Sequence, residues 1–122
     1  MKKILMMVAI ISLTGCAWIP SGFDLNEARV MTDIQQTTIE FDCTKPAAQI
    51  NELDRQLEWL HTYSQYKGSR DVTAVIEELA HTTNEFKDRT DKGAISVAYC
   101  NLKKKILVQQ AEITAKTVFG RF

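Results

Sequence analysis

The side chains able to do chemistry are few. His61 and His81 are the two histidines of the chain. A zinc site draws on three or four ligands at recognisable spacing, and the sequence has no His-x-x-x-His, Cys-x-x-Cys or His-Glu-x-x-His. Both histidines border apolar stretches, so they read as boundary residues and no metal or cofactor is expected. Glu77 and Glu78 are neighbours and on a helix would point about 100° apart, which suits a solvated face better than a paired acid and base. Glu52, Asp54, Arg55 and Glu58 have the i,i+3 and i,i+4 spacing of surface ion pairs. There is no Gly-x-Ser-x-Gly, phosphate-binding loop or dinucleotide fingerprint. The sequence therefore predicts a non-catalytic protein. Fifteen basic and fifteen acidic residues cancel, which argues against binding nucleic acid, since that needs a cationic surface.

The cysteines carry more. Met1-Lys2-Lys3, followed by an apolar run from Ile4 to Leu13, has the charged and apolar regions of a secretory signal. The run is shorter than the roughly 20 apolar residues of a membrane span, although an uncleaved anchor reaching through Trp18 to Pro20 is the alternative. Leu13-Thr14-Gly15-Cys16 resembles the lipobox of bacterial lipoproteins, with a leucine, two small residues and an essential cysteine. The resemblance implies a signal peptide over 1–15, cleavage before Cys16, diacylglyceryl transfer to the Cys16 sulfur and acylation of the new terminus, palmitate among the acyl groups. Two or three acyl chains hold a protein on a membrane far more firmly than one. In Gram-negative relatives of this class, Asp after the acylated cysteine retains the protein in the inner membrane. Ala17 stands there in this chain, so the expected place is the outer membrane, facing the periplasm.

With Cys16 taken by lipid, Cys43 and Cys100 remain as an even pair in an oxidising compartment, and a disulfide is the expectation. Two unpaired buried thiols are the alternative. Residues 16–23 read as a lipidated tether with Pro20 and Gly22, in which Trp18, Ile19 and Phe23 suit either the membrane interface or the surface of the domain. Residues 24–122 read as the folded domain.

Apolar periodicity supplies the elements that would position these groups. Asp24 and Glu27 have capping-box spacing, so a helix opens there, carrying Val30, Ile34 and Phe41. The β-branched run at 37–41 leaves open whether that helix continues or turns extended. Pro46 after Lys45 starts a second helix with Ile50, Leu53, Leu57 and Leu60 inward, and Gly68 stops it. Ser69 is the expected cap of a third helix, with Asp71 in its first turn and Val72, Val75, Ile76, Leu79, Ala80 and Phe86 as its stripe. After a polar turn at Lys87–Lys92, a last helix carries Ile95, Ala98, Tyr99, Leu102, Ile106 and Ile113, with Cys100 about two turns in. The prediction is all-α: a small antiparallel bundle of three to four helices, braced by one disulfide that joins one end of it.

Two features exceed what a core requires. Trp59, Tyr63 and Tyr66 share one side of the second helix, either as core or as a partner-binding patch of anchor residues. Lys103, Lys104 and Lys105 form a basic run on the last helix. Charge is also segregated: residues 24–91 hold fourteen acidic and seven basic groups, and residues 92–122 one acidic and six basic. Either the basic segment packs beside acidic helices, or it meets an anionic partner. The apolar and basic end, Val118-Phe119-Gly120-Arg121-Phe122, reads as a docking tail. The functional expectation is a membrane-anchored accessory that binds an envelope protein. Its size and helical character resemble, in architecture only, the pilotins of secretion systems. An inhibitor or immunity protein, or a factor excluding phage or plasmids, is the alternative.

Overall fold

A computed structural model describes residues 22–121. The signal peptide, the lipobox with Cys16, and Trp18 and Ile19 of the tether lie outside the described residues. Among those described, four helices form an antiparallel ring: α1 (Leu25–Ile39), α2 (Pro46–Lys67), α3 (Arg70–Asp91) and α4 (Val97–Phe119). Each helix packs on its sequence neighbours, and α4 closes the ring on α1. None of them is long and apolar enough to cross a membrane.

Asp24 caps α1, its Oδ1 accepting the backbone N–H groups of Asn26 and Glu27 at 2.9 and 3.0 Å. These are donors that a helix start leaves without intrahelical partners. The helix does not turn extended at Thr37. Thr37 donates to the carbonyl of Asp33 and Thr38 to that of Gln35, and buried Thr38 and Ile34 hold the segment against the core. Burial of Ile34 and Thr38 thus outweighs β propensity, a weaker local preference, and the threonine hydroxyls find acceptors within the helix.

Helix α2 follows its expected pattern, with Ile50, Leu53, Leu57 and Leu60 buried. At its end Gly68 takes φ +73°. Its N–H reaches the Gln65 carbonyl at 3.1 Å and the Ser69 N–H the Ser64 carbonyl at 2.9 Å, a Schellman closure. Ser69 does not cap α3 with its side chain. Its ψ of 71° departs from the extended geometry of a capping residue. Its carbonyl instead accepts both the N–H and the hydroxyl of Thr73.

The expected turn at Lys87–Lys92 is helical through Asp91. Lys87 bonds Asp54 of α2 at 2.6 Å, and Thr90 bonds the Phe86 carbonyl, so the chain has reason to stay wound until Gly93. Ser96 then caps α4 by accepting the Tyr99 N–H at 3.1 Å. Cys100 therefore sits in the first turn of α4, not two turns in. It bonds Cys43 with a Cα–Cα separation of 5.8 Å, normal for a disulfide.

The largest departure concerns which side of α4 faces inward. The buried residues are Cys100, Leu107, Ala111, Thr114, Ala115 and Val118. Of the expected stripe, Ala98, Leu102 and Ile113 are exposed, and only Ile95, Tyr99 and Ile106 are partly buried. The disulfide turns Cys100 inward, and a 3.6-residue period then carries residues 107, 111, 114 and 118 onto the core side.

Candidate functional site

The side of α2 that carries Trp59, Tyr63 and Tyr66 is turned away from the core, where Leu57, Leu60 and Ser64 occupy the inward positions. The three aromatics do lie together, but none of them is core. With Arg55, Glu58 and Thr62 they line an open groove of about 490 Å³ with a mainly apolar surface. Trp59 stacks on Tyr63, ring centroids 4.9 Å apart and planes 10° from parallel. Tyr66 is 89% exposed.

Tyr63 is fixed from below. Its hydroxyl accepts from Asn26 Nδ2 at 3.0 Å and donates to Asp24 Oδ2 at 3.3 Å, and Lys67 Nζ lies 3.4 Å from the same carboxylate. Burial pushes the Asp24 carboxyl up. The Glu27 N–H, Lys67 and the Asn26 N–H outweigh it and hold the group below its ordinary 3.8. The cap that starts α1 thus also clamps the aromatic shelf of α2. A rigid aromatic surface loses little freedom on binding, which suits it to anchor an apolar segment.

The lysine run divides. Lys103 reaches Glu85 of α3 at 3.5 Å and lies over the Tyr99 ring; Lys104 donates to the Phe41 carbonyl at 2.8 Å; Lys105 is exposed. Part of the basic segment therefore does pack against the acidic helices.

His61 Nε2 lies 3.3 Å from Glu77 Oε1, and His61 and His81 both border a shallow groove between α2 and α3. Among the described residues no group of three or more His, Cys, Asp or Glu is placed to hold a metal ion. Glu52 and Arg55 form the expected local pair, with Nη2 to Oε1 at 2.5 Å. Asp54 reaches across to Lys87.

One pair escaped the sequence. Glu27 and Arg121 are almost fully buried and bonded to each other, Arg121 Nη2 donating to Glu27 Oε2. Arg121 Nε also donates to the Val118 carbonyl at 3.1 Å. The tail therefore docks on α1 of its own chain. Glu27, the expected reciprocal half of a capping box, faces the core instead. The one available signal was an arginine set among Val118, Phe119 and Phe122.

No family model matches the chain, and no curated protein or solved structure is significantly similar to it.

Proposed function

We propose that the protein is an envelope lipoprotein, held on the periplasmic side of the outer membrane by acyl chains on Cys16, that works by binding and has no catalytic role. Its site is the α2 groove, and its ligand is an apolar segment of another envelope protein. The observation that carries this reading is the exposed, prearranged shelf in which Trp59 stacks on a Tyr63 locked by Asp24 and Asn26. Aromatic side chains standing out of a surface are the usual anchors of protein interfaces. The lipobox resemblance supports the anchor. From Cys16 to Gly22 an extended chain spans at most about 20 Å, so the end of the bundle bearing Asp24 would be kept near the bilayer.

Two experiments test it. Cys16→Ser should abolish palmitate labelling and move the chain from the membrane to the soluble fraction; unchanged processing and fractionation would remove the anchor. A photo-crosslinking residue at position 66, in the native envelope, should give one discrete protein adduct that Trp59→Ala abolishes. An adduct pattern indifferent to Trp59 would remove the groove.

A further inference from the structure

Helix α4 bears two apolar stripes, and the bundle uses one. The inward stripe is Cys100, Leu107, Ala111, Thr114 and Val118. The other is Leu102, Ile106, Gln109 and Ile113, spaced 4–3–4. That is the rhythm by which one helix meets another in a coiled coil, with isoleucine at a, leucine at d, and glutamine at the second d. Neither α1 nor α3 covers its two ends, Leu102 being 57% and Ile113 61% exposed, while Ile106 between them is partly buried against the bundle.

We infer that this seam is an interface with a second copy of the same chain, the two α4 helices running antiparallel. The two ends of the stripe match each other on reversal. A two-fold axis crossing α4 between residues 107 and 108 sets Leu102 opposite Ile113 of the second copy and Ile106 opposite its Gln109. The mirrored contacts follow, as an isologous interface demands. Along one border of the seam Lys105 and Glu112 occupy equivalent positions seven residues apart. The same axis brings Lys105 beside Glu112 of the second copy, twice. Glu112 is exposed, with only the solvent-facing Lys116 one turn away at 3.2 Å. A parallel pair would lose both ion pairs and would set Lys116 against Lys116. Charge complementarity thus selects the antiparallel form.

The seam is short, which predicts a weak dimer, half-formed at roughly tens to hundreds of micromolar. It does not compete with the α2 groove, because α2 lies across the ring from α4. The two tether-bearing ends point apart, so anchored copies would pair lying side-on to the membrane.

Sedimentation velocity on the mature chain carrying Cys16→Ser, which removes any lipid-driven association, tests the inference without relying on the anchor. A monomer–dimer equilibrium is expected, and Ile113→Glu should leave only monomer. Lys105→Glu and Glu112→Lys should each weaken the dimer about tenfold, and the double variant should return to within about threefold of the parent. Helical circular dichroism is expected to stay unchanged throughout, since all three positions are solvent-facing. A chain that stays monomeric at about 1 mM, or a dimer indifferent to Ile113→Glu, would overturn the interface. Charge reversals that do not compensate in the double variant would overturn the antiparallel register.

Discussion

The two ends of the bundle are closed by unlike chemistry. At one, Cys43 is joined to Cys100, and Phe41, Phe86 and Tyr99 pack ring against ring, centroids 5.5 and 5.9 Å apart. At the other there is no covalent bond among the described residues. Buried Glu27 and Arg121 hold α1 to α4, and Asp24 ties the start of α1 to Tyr63 and Lys67 of α2. The first end answers to redox potential, and to protons only through the exposed Asp42, whose carboxyl the Thr44 N–H and hydroxyl hold below its ordinary value. The second answers to protons and not to reductant. In the oxidising compartment proposed for this chain the first would hold without condition, while the second depends on every partner being present, because a buried charge left alone is heavily penalised.

Breaking each end separately measures the contrast. Cys43→Ser with Cys100→Ser opens a loop with 57 residues of separation. In the chain-entropy view this removes about 4 kcal/mol of stability, seen as a fall in melting temperature of about 20 °C; reductant should reproduce it. Arg121→Met strands Glu27 in the core and should cost about 3 kcal/mol in a urea titration. Adding Glu27→Gln should restore part of the loss, the signature of a pair whose members are costly mainly when separated. Asp24→Ala removes the cap and should cost about 1 kcal/mol.

The acid response sharpens the comparison further. Asp24 is held below its ordinary value in the folded state, so its contribution is complete above the unfolded carboxylate range and is lost as pH falls through the lowered value. Hydrogen exchange should show the start of α1 loosening in acid before the disulfide end does. Asp24→Asn should flatten that difference. The smallest effect belongs to Tyr66→Ala, which should change stability by less than about 0.5 kcal/mol, leaving the groove's binding role to be read cleanly.

Where a helix had one apolar period and clear punctuation, the sequence was readable. Pro46, the Ile50-Leu53-Leu57-Leu60 stripe and Gly68 located α2 almost to the residue, and the stripe of α3 was visible for the same reason. Helix α4 misled because two stripes interleave on it, and only the partner of Cys100 decides which turns inward. The β-branched Thr37–Ile39 and the charged Lys87–Asp91 misled because local propensity yields to burial and to cross-helix bonds such as Lys87–Asp54. At the site, spacing placed Trp59, Tyr63 and Tyr66 on one side, and the Leu53-Leu57-Leu60 stripe more than 100° round the same helix already marked that side as the outward one. The Glu27–Arg121 contact joins residues 94 apart, and no local pattern encodes it.

An even number of antiparallel helices brings residues 22 and 121 to the same pole. Anything fused beyond Arg121 would therefore crowd the start of α1 and strain the buried arginine. The opposite pole offers a better handle. Gly93 turns the α3–α4 connection at φ +143° with open space around it, so a short epitope spliced into that loop would report on the protein from the pole opposite the proposed anchor.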